Sequence, residues 1–240
     1  MSYKQTGFKR LLTDLASKQN ARMSDLADQD PELLVNSLNQ GLKWCWRDYA
    51  ECFAHPATVG HDLLTITDGV LTREQVELSD WVSVWDKDPR ANRSARRLIP
   101  SSDDDDGWHL GTAVEEAFVF WRKPVPEFTH EIVVSADSYA TGALVWDKDG
   151  SKEVFKALDD NVLGSELSDA AKWEKVTVPD LFADAAVNFA RGDRLTSNNL
   201  PAGANYFFKI AEGQLESEYA RVLNRSNGHA PAWLMLSTNL

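Results

Sequence analysis

The sequence predicts an α+β fold: a helical scaffold made by the N- and C-terminal segments, with a β-rich insertion in the middle. Three observations predict it. Apolar residues recur every three or four positions near both ends. Short β-branched and aromatic runs, punctuated by Gly, Pro and Asp, fill the middle. The composition, 43% hydrophobic and 26% charged over 240 residues, is that of a globular chain with room for one large domain or two small ones. Nine Trp add large buried areas. The boundaries implied are 1–60 with 176–224 for the helical scaffold and 61–175 for the insertion, which carries a long loop at 86–110. Residues 225–240 form an extended C-terminal tail.

The elements follow in order. Phe8, Leu11, Leu12 and Leu15 share one helical face, which predicts a short helix over 6–18. A polar stretch leads to a strong helix start: Asp30 as cap, Pro31 at the first helical position, Glu32 in the first turn. Leu34, Leu38, Leu42, Cys45, Tyr49 and Cys52 then keep the stripe to about residue 53, and His55-Pro56 stops it. Cys45 and Cys52 stand roughly 10 Å apart along that helix, too far for a disulfide, and read as buried thiols. Strands are expected at 63–66, 81–85, 117–121, 131–134, 143–146 and 153–157. Turns separate them at Asp68-Gly69, Asp88-Pro89, Asp106-Gly107, Pro124 with Pro126, and Asp149-Gly150. Pro179-Asp180 opens a third helix with Phe182, Ala185, Ala186, Phe189 and Ala190 on one face, stapled by Val178. Leu200-Pro201 opens a fourth with Phe207, Ile210, Ala211, Leu215, Tyr219, Val222 and Leu223 aligned.

Charge narrows the function. Twenty-five basic against 37 acidic residues give a net charge of −12, which argues against general nucleic-acid binding, since phosphate contacts need clustered Lys and Arg. A like-charged surface instead lets DNA pass without holding it. No run approaches a membrane span and no signal core opens the chain, so a cytosolic origin is expected. Motif reading assigns no catalytic, cofactor or metal residue. There is no Gly-x-Ser-x-Gly elbow, glycine-rich phosphate loop or dinucleotide fingerprint, and His55, His61, His109, His130 and His229 match no zinc spacing.

Two segments look chemical at first sight: SVWDKDPR at 83–90 and LVWDKDGS at 144–151. Each pairs carboxylates as a calcium loop begins, but such a loop needs a Glu at its twelfth position. That position holds Arg97 after Asp86 and Leu158 after Asp147. Both segments therefore read as strand ends running into turns.

The stretch RANRSARRLIPSSDDDDGW at 90–108 sets Arg90, Arg93, Arg96 and Arg97 ahead of Asp103, Asp104, Asp105 and Asp106. A solvated loop is the plain alternative. The sharper reading is an interface loop whose basic half meets an acidic surface on a neighbour, a contact usable at every joint of a head-to-tail ring. The tail residues Trp233, Leu234, Met235 and Leu236 make an apolar patch suited to docking, on their own subunit or on a partner. The other tryptophans fall at core or interface positions more readily than on platforms for sugars.

Several segments, taken in order, resemble phage head–tail adaptor (neck or connector) proteins. They are KWCWRDYAECFAHP at 43–56, the strand ending WDKDPR at 85–90, and FWRKPVPEFT at 120–129. VFKAL at 154–158, WEKVTVPDLFADAAVNFARGDRL at 173–195 and AEGQLESEYARVL at 211–223 complete the series. The resemblance implies a non-enzymatic virion protein made in the host cytoplasm and placed at the neck. It would form a ring of about twelve copies. Its expected partners are the portal protein, a tail tube, nozzle or terminator protein, and other copies of itself, with DNA passing through unbound and no membrane involved. A monomer or weak oligomer is expected when it is purified alone, because a loop that orders on assembly loses its entropy only then. Another ring-forming tail component (tail terminator or tube-capping protein), a Trp-rich carbohydrate-binding module or glycoside hydrolase, and an intracellular enzyme whose site carries no motif are the rival readings.

Overall fold

A computed structural model describes residues 4–18, 30–48, 58–79, 81–92, 94–111 and 113–225. Among them are four α-helices, towards the two ends of the chain, and fourteen strands in five small sheets that make the middle β-rich. This corrects the predicted fold class of a helical scaffold interrupted by one β-rich insertion. The strands do not make one inserted body: one sheet belongs to the terminal segments themselves. The remaining strands are shared between two compact units, one built from Ser2–Tyr49 with Val125–Arg221, the other around Ala50–Pro124. The physical reason is strand length. Only two strands reach seven residues, and the others have two to four, so each small sheet closes over a local cluster.

In the helical unit, strand β1 (Gln5–Gly7) pairs antiparallel with β14 (Thr177–Pro179), Thr6 opposite Val178. Helices α1 (Phe8–Lys18) and α3 (Asp180–Ser197) follow directly from these strands. The predicted helix start at residue 6 thus moves to Phe8, because residues 5–7 pair as a strand. Asp180 stands in the first turn of α3, where a carboxylate meets the positive helix end. It accepts from the Thr6 hydroxyl and the Arg10 guanidinium, and its own N–H donates to the Lys4 carbonyl at 2.7 Å. Glu153 does the same for α1. Its carboxylate accepts from the Lys9 N–H at 3.1 Å and pairs with Lys175 at 2.7 Å. Gly7 leaves it room, since a Cβ there would strike that carboxylate.

Helix α2 (Pro31–Lys43) starts as predicted, Asp30 accepting from the Leu33 N–H at 2.9 Å, and widens into a π-type turn at Trp44–Asp48. The predicted continuation beyond residue 48 lies outside the described residues, as does Cys52. Leu34, Val35, Leu38 and Leu42 are buried. Gly41 lets α2 touch the backbone of α3: a Cβ at Gly41 would sit 2.6 Å from the Ala186 carbonyl oxygen. The buried Ser37 hydroxyl donates to Asp193 at 2.6 Å. Asn39 donates to the Phe128 carbonyl and accepts from the Phe128 N–H, both at 2.9 Å, which fastens the proline-flanked segment to α2. The Phe8 ring then fills the space beside Phe128 and Trp146, at centroid distances of 4.7 and 5.6 Å. Helix α4 (Pro201–Arg225) meets α3 where Gly192 faces the Phe208 ring, and Asn188 donates to Gln214 at 2.9 Å.

Two further sheets belong to this unit: β10 (Leu144–Trp146), β11 (Val154–Ala157) and β13 (Trp173–Lys175), and β9 (Ser138–Tyr139) with β12 (Val162–Leu163). They enclose Val145, Ala157, Val162 and Trp173. The predicted strand at 131–134 forms only one bridge, Ile132 to Trp146.

The other unit holds two antiparallel sheets. Strands β2 (Val59–Thr65), β8 (Glu116–Arg122), β4 (Val82–Trp85) and β5 (Arg97–Leu98) lie in the order β2-β8-β4-β5. Strands β3 (Val70–Thr72), β7 (Gly107–His109) and β6 (Ser102–Asp103) lie in the order β3-β7-β6. Ile66, Leu71, Val84, Trp108, Ala117, Val119 and Trp121 form the core between turns. No described helix is long and apolar enough to cross a membrane.

Candidate interface site

The stretch 86–110 is tied down by its own aspartates. Asp86 closes the basic half: its N–H donates to the Arg96 carbonyl at 3.0 Å and its carboxylate accepts from the Arg96 N–H at 2.6 Å. The chain is thereby returned as β5, with Leu98 opposite Val84 and Arg97 opposite Trp85. Asp88 accepts from the Arg90 N–H and grips its guanidinium through Nε and Nη2, each at 2.9 Å. That grip holds the Asp88 carboxyl below its ordinary value. The same guanidinium lies over the Phe118 and Phe120 rings at 5.1 and 5.7 Å. Two ties on one flat cation fix its direction. Arg90, although exposed, is held by its own loop and sheet, and Arg96 and Arg97 are exposed beside and on β5. Arg93 lies outside the described residues.

The acidic half is a hairpin turn. Asp103 ends β6 opposite Trp108, and the Asp104 N–H donates to the Gly107 carbonyl at 3.0 Å. The Asp104 carboxylate accepts from the Asp106 N–H at 3.0 Å and meets His109 Nε2 at 2.9 Å. The bond from His109 holds Asp104 below its ordinary value. Arg73 donates twice to the Asp104 carbonyl, at 3.0 and 2.7 Å, and lies 4.6 Å over the Trp108 ring. Gly107 has φ +143 and presses against the Leu71 carbonyl, so only glycine fits there. Asp103, Asp104, Asp105 and Asp106 are all exposed.

The structure thus separates the predicted interface residues. Arg97 stands on the four-stranded sheet with Arg96 beside it, and Asp103 on the three-stranded one with Asp104, Asp105 and Asp106 in the turn that follows. Trp233, Leu234, Met235 and Leu236 lie outside the described residues. Two anchoring residues were missed from sequence. His109 was within reach, two residues past the Asp106-Gly107 turn; Arg73, 31 positions from Asp104, gave no signal.

Other candidates resolve into structure. Both WDKD segments end strands, and Asp147 closes its turn through the Gly150 N–H (3.1 Å) and the Ser151 N–H and hydroxyl (2.6 and 2.8 Å). Cys45 is a buried thiol, and burial raises its pKa far above the ordinary range. Among the described residues no group of three or more His, Cys, Asp or Glu is placed to hold a metal ion. Every described Trp is buried or half-buried; Trp44 stacks on Phe189 at 5.2 Å and Trp46 packs on Phe182 at 5.3 Å. No family model matches the chain, and no curated protein matches its sequence.

Proposed function

We propose that this chain is a structural virion protein, a head–tail adaptor at the neck of a phage particle, which joins the portal protein to a tail tube, nozzle or terminator protein. It acts by contact rather than by turnover. About twelve copies form the ring, and DNA passes through the acidic channel without specific binding. The observation that carries this reading is how the conspicuous side chains are spent. Asp86, Asp88, Asp104 and Asp147 each hold a turn, which leaves an ordered loop presenting exposed Arg96 and Arg97 on one sheet and exposed aspartates on the other. A surface fixed from within and charged without suits docking. The order of segments that resembles adaptor proteins supplies the rest. The carbohydrate-binding reading lacks support, since no described tryptophan is exposed.

Mass spectrometry and cryo-microscopy of purified particles test this. The expected result is the chain present in multiple copies between portal and tail. Mature particles without it would end the adaptor reading. So would turnover of any substrate that is lost on replacing one carboxylate or imidazole.

A further inference from the structure

We infer that the α3–α4 hairpin of one copy docks the aspartate turn 103–106 of a second copy, Arg191 meeting carboxylates that its own helices do not supply. The inference goes beyond the adaptor reading and stands without it. The reversal between the two helices is closed from within. Asn198 and Leu200 donate to the Arg194 and Leu195 carbonyls at 3.1 and 2.9 Å. Asn199, between them, takes the left-handed conformation (φ +57) that Asn tolerates. The reversal sets Arg191 on α3 against Phe207 on α4, the guanidinium 3.9 Å from the ring centroid. Such stacking uses the flat face of a guanidinium and leaves the N–H donors at its edge free. Arg191 is half-buried, and burial lowers its pKa. Among the described residues no carboxylate pairs with it and no acceptor takes its N–H groups. A cation partly stripped of water, held in place and with its donors unspent, is a site for an anion.

The helical period brings further groups to the same face. Tyr206, 62% exposed, packs edge-on against Phe207 at 5.1 Å, and the exposed Lys209 lies three positions along from Tyr206. An Arg stacked on one aromatic ring beside an exposed Tyr has the composition of a binding hot spot. Charge and rigidity together select the partner. Asp103, Asp104, Asp105 and Asp106 make the longest acidic run of the chain. Their turn is fixed through the Asp104 carboxylate, the Arg73 bonds to the Asp104 carbonyl, and Gly107. Asp105 and Asp106 are exposed, and their carboxylates have no partner among the described residues. Two surfaces that are ordered before they meet lose little entropy on meeting. Every copy carries both, so the contact is heterologous and repeats from copy to copy. The net charge of −12 opposes association at long range. At physiological ionic strength that repulsion fades beyond about 8 Å, while contact pairs persist.

Sedimentation velocity of the full-length chain at about 0.15 M salt tests the contact. The wild type should show a mass that rises with concentration. The pair Arg191→Glu with Lys209→Glu should weaken association at least about tenfold, as should the pair Asp105→Lys with Asp106→Lys. Asp104 is left intact because it holds the turn. An equal mixture of the two variants again offers opposite charges and should regain association. Far-UV circular dichroism checks that each variant folds. Should the change at Arg191 disturb the α3–α4 packing, Tyr206→Ala with Lys209→Glu, both at exposed positions, carries the same expectation. A wild type without concentration dependence, a variant that associates like wild type, or a mixture that stays monomeric overturns the contact.

Discussion

The ties of the helical core and those of the charged loop in the sheet unit differ in reach. In the helical unit, Thr6–Asp180, Ser37–Asp193, Lys9–Glu153 and Asn39–Phe128 join residues 174, 156, 144 and 89 positions apart. In the sheet unit, the loop carboxylates Asp86, Asp88 and Asp104 bond partners ten, two and five positions away. Contacts between distant segments carry the loop-closure entropy, so the helical core cannot close until both ends of the chain are present. Loops that hold themselves locally can carry exposed charge at sheet edges with little risk to the core. A core closed by distant segments and a charged loop held locally thus lie in different parts of one chain.

The sharpest way to break this contrast is Phe8→Ala, which empties the ring contacts of the helical unit and should cost ~3–5 kcal/mol in chemical denaturation. A cost near zero would show that this core does not hold the unit together. Next is a pair of glycines on helices of the same unit. Gly41→Ala forces a Cβ onto the Ala186 backbone and should destabilise by ~1–3 kcal/mol. Gly213→Ala meets nothing within 4 Å and should stabilise by up to ~1 kcal/mol. Thermal melts of the two variants should move in opposite directions; shifts of the same sign would refute the close approach. In the sheet unit, Arg90→Ala should change stability by no more than ~1 kcal/mol, because the pair with Asp88 is partly solvated and the ring contact modest. A larger loss would mean that the loop supports the core after all.

The smallest effect is in acid. The bond from His109 holds Asp104 below its ordinary value of 3.8. A depressed carboxylate stabilises the folded turn fully above that value and loses this contribution as pH falls through the lower folded value. The β6–β7 hairpin should therefore loosen only below about pH 4. Amide chemical shifts of Asp106 and Gly107 would follow it, and Asp104→Asn should abolish the titration. The same acid transition in that variant would assign it to another group.

Legibility in the sequence followed element length. The start of α2 at Asp30-Pro31, the starts of α3 and α4, and the strands around residues 63, 83, 119, 145 and 155 were readable, because period and punctuation repeat over enough residues. Ser102–Asp103, Ser138–Tyr139 and Val162–Leu163 were not: two residues have no period, and their pairing is set by distant partners. The β1–β14 pair failed for a related reason. Gln5–Gly7 resembles the start of its helix until Thr177–Pro179 is brought beside it.

The sequence by itself determined the buried stripes of α1 and α2, where three of the helices begin, and that acidic residues outnumber basic ones across the chain. Those properties depend on neighbours three or four positions away, or on composition alone. Tertiary structure decided that the exposed Arg90 lies over two Phe rings, and that the basic and acidic halves of one stretch end on separate sheet edges. The pairing of β8 with β4 and the register of β5 on β4 made those choices, and both depend on chain segments that local spacing cannot see.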